Sequence, residues 1–318
     1  MRFRGHLGRC RVWAAALTAL VLLFGFPRSA QVCEAQSIEQ QIAQEITLIH
    51  DGERDGLEPL KMGRLWAHLG IDYEDEAEFT KAESAYNHSL RILETLPSGK
   101  ADYANVLDNL GSMYLMVGNL AEAERCSRNS LSLRETMGDR LQIARGKWHL
   151  AEVELGRHRA KEARQRSLEA YNEMVALKDP ETKDQVSALI TLTYAECIQS
   201  CADDGVAHAK QSVALARTTT SSDPIMMGQA LQALGYADWK AGIKEAPEQM
   251  RSSILIFKEQ NDRGRTYALG AMQQYRRYLE ATHHWVEAKQ VALEEEQLSK
   301  QRGKCPNCTV SVYGLQRK

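Results

Sequence analysis

Apolar and polar positions alternate with helical spacing along most of the chain. Within residues 66–73, a tryptophan, a leucine, a glycine and a tyrosine follow one another at spacings of 3, 1 and 3, which place all four on one side of a helix. The same register returns at Leu107, Leu110, Gly111 and Tyr114. The pattern therefore predicts amphipathic helices, each with one apolar face.

This helical phrase recurs at a regular period. Its anchor positions are Leu69, Leu110, Leu150, Leu192, Leu234 and Tyr275. They are separated by 41, 40, 42, 42 and 41 residues. An alanine opens a second helix after each anchor, at Ala82, Ala123, Ala163, Ala209, Ala246 and Ala288. We predict six units, each a hairpin of two helices whose small residues allow close approach.

Helix breakers mark the boundaries between units. They fall about one period apart, at Pro97, Gly138, Pro180, Pro224 and near Gly264. In the pairs Asp179-Pro180 and Asp223-Pro224, an N-cap acceptor precedes a proline suited to the first helical turn. Both pairs therefore predict the start of a helix.

The phrase W-x2-L-G-x2-Y followed by an alanine resembles the tetratricopeptide repeat family, and the period of about 41 residues is similar to the long variant of kinesin light chains. The resemblance covers roughly residues 63–300 and departs from the family pattern where Thr193 and Arg276 replace glycine. It implies an all-α, right-handed α-α superhelical solenoid of about six helix-hairpin repeats, with a concave and a convex face. HEAT-type repeats have a similar period but lack the L-G-x2-Y phrase.

Residues 1–35 have the layout of a secretory signal peptide. Four arginines precede an apolar run at residues 12–26, which small and polar residues follow. Those fifteen residues would reach roughly 22 Å as a helix, short of the ~30 Å hydrocarbon layer, so a signal is favoured over a short anchor. We therefore expect an extracytoplasmic protein, periplasmic or secreted.

Three further segments complete the predicted organisation. Residues 36–62 are expected to form an N-terminal capping helix and a turn, residues 63–302 the repeat solenoid, and residues 303–318 a C-terminal tail. A stripe at helical spacing would cover the first repeat, formed by Ile38, Ile42, Ile46 and Ile49.

Charge and motifs narrow the functional class. The chain has 40 basic and 42 acidic residues, so bulk charge does not favour nucleic acid or an anionic membrane as a partner. No nucleophile elbow, zinc-protease motif or phosphate-binding glycine loop occurs in the sequence. We expect no catalytic site, no metal site and no cofactor, and we interpret the carboxylates of residues 72–78 as a solvated acidic edge.

The cysteines leave several possibilities open. Cys305 and Cys308 form a C-x-x-C pair in the tail, where a disulfide, a reactive thiol pair or free cysteines are all compatible with the sequence. Cys197 and Cys201 could form a bridge if the turn there relaxes. Cys126 has no predicted disulfide partner, and we expect it to behave as a small buried apolar residue.

The resemblance also implies a ligand groove on the inner face of each first helix. Positions −5, −2, +2 and +5 from the anchor cluster opposite the packed side. The groove residues predicted in this way are Asn105, Asp108, Arg145, Trp148, Tyr194, Gln229, Gln232, Tyr236, Trp239, Gln273 and Arg277. The aromatic members could anchor a partner, and the amides could bind an extended peptide backbone. The alternative is that the rings simply pack and fill the groove.

These observations predict an exported, non-enzymatic scaffold that binds a protein or peptide in its concave groove, as an adaptor or assembly factor. One alternative is a thiol-active protein that uses Cys305 and Cys308. Another is a regulatory subunit of a multi-chain envelope system. The sequence does not indicate the oligomeric state.

Overall fold

The computed structural model describes residues 38–177, 182–198, 201, 203–218 and 223–301. Within these ranges every regular element is helical, and one short 3-10 turn, Pro97–Gly99, joins two of the helices. The α-helices are α1 (Ile38–Asp55), α2 (Pro59–Asp75), α3 (Phe79–Leu93), α4 (Lys100–Met116), α5 (Leu120–Met137), α6 (Arg140–Gly156), α7 (Ala160–Val175), α8 (Thr182–Cys197), α9 (Asp203–Thr218), α10 (Pro224–Lys240), α11 (Ala246–Lys258), α12 (Asn261–Ala281) and α13 (Trp285–Gln301).

The helices after α1 pack as six successive hairpins. Each even-numbered helix packs against the odd-numbered helix that follows it, and that second helix packs against the first helix of the next hairpin. The first helices of neighbouring hairpins also contact one another, which places α2, α4, α6, α8, α10 and α12 in an inner layer. The predicted all-α solenoid of six helix hairpins is confirmed.

The repeat positions of the sequence form the core of this stack. All six anchors are buried, and so are the six alanines that open the second helices. The glycines after the anchors allow the close approach that we predicted. A Cβ atom at Gly70 would lie 2.5 Å from the ring of Tyr86, and one at Gly235 would lie 2.7 Å from the side chain of Met250.

Five of the six hairpins share one turn geometry. Eight residues after the anchor, the backbone takes the left-handed conformation, with φ of 58° to 80°, at Ala77, Gly118, His158, Gly242 and His283. The next N–H donates to the carbonyl oxygen of the residue five positions earlier, at 2.8 Å in each of the five hairpins. This six-to-one bond is the Schellman helix ending, and it fixes the angle between the two helices of a hairpin.

The fourth hairpin lacks this turn among its described residues. Its helices are α8 and α9, and a disulfide joins Cys197 at the end of α8 to Cys201 in the connection. The sequence has about four extra residues here, which makes the connection too long for the turn used elsewhere. The bridge that we considered between these two cysteines is therefore present.

The N-terminal helix α1 covers the first hairpin with part of its predicted stripe. Ile49 is buried and Ile42 packs against the same cluster, but Ile46 is 46% exposed. Glu45 takes the fourth inward position instead, and burial together with Asp72 raises its pKa to about 7. The helix is thus rotated away from the predicted stripe, and Glu45 rather than Ile46 faces α2.

Other predictions have mixed outcomes. Asp223 caps α10, where its carboxylate accepts from the N–H of Ile225 at 3.1 Å, as the Asp223-Pro224 pair predicts. The predicted signal peptide at residues 1–35, the Asp179-Pro180 pair and the predicted tail with Cys305 and Cys308 lie outside the described residues. Of the helices described, none combines the length and the hydropathy needed to span a membrane.

Candidate functional site

The inner faces of the first three hairpins carry accessible polar side chains. Asn105 is exposed on α4, and Arg145 and Trp148 are half-buried on α6. Inter-repeat ion pairs border this surface: Arg64 binds Asp102 at 2.9 Å, and Arg145 binds Asp184 at 2.6 Å. We call the inner faces of α2, α4 and α6 the open half of the concave surface.

The inner faces of α8, α10 and α12 differ, because their side chains pack against one another. Tyr194 and Tyr236 are only 1% and 3% exposed, and their ring centroids lie 5.0 Å apart. The Oη atom of Tyr194 donates to Gln274 at 3.2 Å, and Gln232 is also buried against Gln274. We call these three faces the filled half of the concave surface.

The burial in the filled half corrects part of the predicted groove. Tyr194, Gln232 and Tyr236 are not accessible to a ligand in this structure, because hairpins four to six curve tightly enough for α8 to reach α12. The packing of these rings against their neighbours is the alternative that we left open. A direct role for these residues in binding stays a prediction.

The remaining predicted residues of the filled half lie at its edge. Trp239 is half-buried and makes edge contacts at 6.0 Å with the rings of Tyr236 and Tyr278. Gln229 is also half-buried. The ammonium of Lys240 lies 5.2 Å from the Trp239 ring, a favourable contact between a cation and an aromatic face.

The sixth hairpin presents different residues from those we predicted. Gln274 rather than Gln273 bonds to α10, where its Nε2 donates to the carbonyl oxygen of Gln232 at 3.0 Å. Gln273 and Arg277 are half-buried beside this contact. Burial and the neighbouring Arg276 lower the pKa of Arg277. The inward residue is thus Gln274, one position after the Gln273 that the repeat spacing predicted.

A buried arginine organises the junction between the second and third hairpins. Arg134 on α5 is 1% exposed, and its Nη2 donates to Asp108 at 2.6 Å and to Asn105 at 2.8 Å. Its Nε donates to Ser130 at 3.1 Å, and its Nη1 donates to Oε1 of Gln142. Asp108, which we predicted to face the groove, is therefore buried as the counter-ion of Arg134.

His149 lies beside this network on α6. Its Nε2 is 3.9 Å from Asp108, its Nδ1 is 3.6 Å from Glu152, and its ring lies 4.1 Å from that of Trp148. Burial disfavours the charged ring, but the two carboxylates outweigh it and raise the pKa of His149. The open half therefore contains a histidine that is protonated more readily than an ordinary one.

The sequence carried a signal for Arg134 that we did not use. It stands eleven residues after the repeat alanine, where the first, third and fifth units have Leu93, Met174 and Phe257. A charged residue at a position that is otherwise apolar and buried must find polar partners inside the protein. Repeat-by-repeat comparison of buried positions would have found Arg134, but not its contacts.

A second set of buried charges lies four residues after the anchors. Tyrosines occupy this position in the first two units, and acids replace them at Glu154, Glu196 and Asp238. Arg166 binds Glu154 at 3.0 Å, and Arg164 binds Glu196 at 3.2 Å. Both arginines belong to α7, so the first bridge joins the two helices of the third hairpin, and the second joins hairpins three and four.

The acidic edge at the first turn is partly buried rather than fully solvated. Glu74 accepts a bond from Oη of Tyr86 at 2.8 Å. Burial and the neighbouring Asp75 raise the pKa of Glu74 to about 8, against the effect of the Tyr86 bond.

No cluster of potential metal ligands occurs within the part of the chain that the structure describes. Cys126 is buried, as expected, and burial raises its pKa to about 11.

Comparison with known proteins agrees with this architecture. Residues 61–136 match the tetratricopeptide repeat family. No curated protein sequence matches the chain. Among solved structures, BtubC (BKLC) from P. vanneervenii is 18% identical, with a TM-score of 0.55 over 71% of this chain and 93% of that chain.

Two Rap structures are also similar. The apo form of RapI is 11% identical, with a TM-score of 0.66 over 83% of this chain and 94% of that chain. The Rap conjugation gene regulator of the plasmid pLS20, in complex with the Phr* peptide, is 12% identical, with a TM-score of 0.66 over 83% of this chain and 70% of that chain. At these identities the likeness shows the fold alone. Residues 61–136 therefore carry tetratricopeptide repeats, and the repeated anchors and stacked hairpins continue the same architecture through the described residues.

Proposed function

We propose that the protein is an exported, non-enzymatic scaffold that binds an extended peptide segment of a partner protein along the open half of its concave surface. The observation that carries the proposal is the contrast between the two halves. The inner faces of α8, α10 and α12 are closed by their own side chains, whereas Asn105 is exposed and Trp148 is half-buried on α4 and α6. The exposed Asn105 makes the open half the more accessible part of the concave surface.

The side chains of the open half suit a peptide ligand. Trp148 offers a large ring fixed by the bond from its Nε1 to Thr191 at 3.2 Å, and such rigid aromatic groups often anchor interfaces. Arg64 and Arg145 are paired with aspartates, so this surface has no excess of positive charge. A neutral, extended segment fits this surface better than an acidic ligand or a nucleic acid. The Rap regulator bound to the Phr* peptide supports the proposal as a precedent for this fold.

The test uses a library of random octapeptides displayed on beads, from which binders of the parent protein are selected. We expect Trp148→Ala to weaken the binding of a selected peptide by roughly 1–3 kcal/mol, the range of hot-spot truncations. Trp66→Ala is the matched control, because Trp66 stacks on His88 of α3 at 4.4 Å, away from the open half. Failure to select any peptide, or equal losses for the two variants, would contradict the proposal.

Export is a separate part of the proposal. The arginines and the apolar run of residues 1–35 support it. We expect the mature protein to begin near residue 36 and to be recovered outside the cytoplasm. N-terminal sequencing of the protein from fractionated cells is the test, and an intact N-terminus found only in the cytoplasm would exclude export.

A further inference from the structure

Arg134 fixes the orientation of two side-chain amides at the edge of the open half. Its guanidinium has only hydrogen-bond donors, so any side chain that bonds to it must present an acceptor. The amides of Asn105 and Gln142 both do so through their oxygen atoms, Oδ1 and Oε1. Their NH2 groups must therefore point away from the buried arginine.

Neither amide can turn over without loss. A flipped amide would direct its NH2 group at the guanidinium and leave a donor of a buried cation without an acceptor, which is unfavourable. Arg134 itself is held in place by Ser130 and Asp108. Two NH2 groups are thus held outward at the junction of α4 and α6. Asn105 is exposed and Gln142 is half-buried, and neither NH2 group has a partner in the ranges that the structure describes.

From this arrangement we infer that Asn105 and Gln142 form a paired donor site for the main-chain carbonyl oxygens of an extended peptide, oriented by Arg134. The inference rests on the proposed function and names the groups of the ligand that this part of the surface recognises. Two amides on one guanidinium lie a few ångströms apart, on the scale of the ~3.3 Å rise per residue of an extended chain. Successive carbonyl groups of one peptide can therefore meet both donors.

The local charge favours a neutral carbonyl over a carboxylate. Arg134 is paired with Asp108 at 2.6 Å, and Arg64 and Arg145 are paired with Asp102 and Asp184. His149 lies against the carboxylates of Asp108 and Glu152. The donors themselves are uncharged amides. An anionic group would thus lose its hydration without gaining a net positive charge. A main-chain carbonyl loses less hydration than a carboxylate and accepts the same hydrogen bonds from the two amides.

The substitutions Asn105→Asp and Gln142→Glu test the donor site sharply. Each keeps an oxygen for Arg134 and removes the outward NH2 group, with almost no change in shape. We expect each to weaken the binding of a library-selected octapeptide about tenfold, the effect of one or two lost hydrogen bonds. Gln229→Glu adds the same charge to the filled half, and we expect it to change the affinity less than twofold. Parent-like binding by both amide variants, with Trp148→Ala still weakened, would overturn the inference and leave the proposed function standing.

The same peptide with a free or an amidated C-terminus separates the two kinds of acceptor. Equal affinity within about twofold supports main-chain carbonyl recognition. A loss of tenfold or more on amidation would show that a terminal carboxylate is the ligand group, and would overturn the inference.

A measurement without any peptide tests the orientation of the amides directly. We expect Asn105→Asp to keep or raise the thermal unfolding midpoint, because its oxygens still face Arg134. Asn105→Leu should lower the midpoint, because it leaves a guanidinium donor without a partner. If the aspartate lowered the midpoint as much as the leucine, Arg134 would not orient this side chain, even if no octapeptide were ever selected.

Discussion

Buried charged side chains distinguish this solenoid from a plain stack of apolar helices. Arg134 replaces a buried leucine, methionine or phenylalanine of other repeats, and Glu154 replaces a tyrosine. Removing a charge from water is costly unless partners compensate for it. Here each charge has a partner at 2.6 to 3.0 Å, so these residues fix how neighbouring helices are placed.

Glu74 provides a test of such burial through pH. Its pKa is raised to about 8 in the folded protein, above the usual carboxyl value of 4.5. Between these two values the folded state binds a proton that the unfolded state has lost, so stability falls as the pH rises through this window. Each pKa unit of difference is worth about 1.4 kcal/mol.

Glu74→Gln should remove this pH dependence. The amide oxygen still accepts from Tyr86, but the buried group no longer ionises. We expect a higher thermal unfolding midpoint than the parent at about pH 9 and a similar one at about pH 5. Glu94→Gln, at an exposed site of the adjacent helix α3, is the control. A variant that follows the parent at both pH values would show that Glu74 is not a buried acid.

At the residue scale, the sequence predicted which residues are buried better than it predicted which residues contact each other. The burial of the anchors, the repeat alanines and Cys126 followed from spacing and residue type. The burial of Tyr194 and Tyr236 did not, because it depends on how tightly hairpins four to six curve. The curvature of the stack depends on the packing angles of many helix pairs, and these angles cannot be predicted from the residues on one face of one helix.

At the scale of the helix pair, close approach decides the geometry. The Tyr86 ring sits over Gly70, and its Oη atom is tied to Glu74, so the ring cannot move aside. At the equivalent Gly111, an added Cβ atom would meet Oγ of Ser127 at 3.0 Å and nothing nearer. At this repeat position, the first hairpin therefore has no room for a Cβ atom, whereas the second hairpin can accept one after a small shift.

Two glycine substitutions test this difference. Gly70→Ala should destabilise the protein by about 1–3 kcal/mol through overpacking. Gly111→Ala should be close to neutral, because the gain in helix propensity of up to about 1 kcal/mol offsets a small shift of Ser127. Chemical denaturation followed by circular dichroism measures both. Equal effects would mean that the Tyr86 ring gives way, contrary to this account.

The elements also show where a sequence period is informative. Six hairpins and their starts, such as that at Asp223-Pro224, were predictable because caps and breakers are local signals. The common turn with a left-handed residue was not, since only two of its five left-handed residues are glycine. The rotation of α1 was also missed, because Glu45 takes an inward position that its residue type disfavours.

At the scale of the whole molecule, the inner layer has two unlike halves. The rings and amides of α8, α10 and α12 close one half, and the ion pairs and the Arg134 network border the other. The first helix of the sixth hairpin also contacts that of the first, so the inner layer curves back on itself. Under the proposed function, we expect a ligand on the concave surface to contact α4 and α6, where Asn105 is exposed.

Hydrogen–deuterium exchange of the whole protein, with and without a selected octapeptide, tests this claim most directly. Exchange slows where a ligand covers or stabilises backbone amides. The account predicts added protection in α4 and α6, with smaller changes in α2 and none in α9 or α11. Protection confined to the outer helices, or to α10 and α12 alone, would contradict the assignment of the open half as the binding surface.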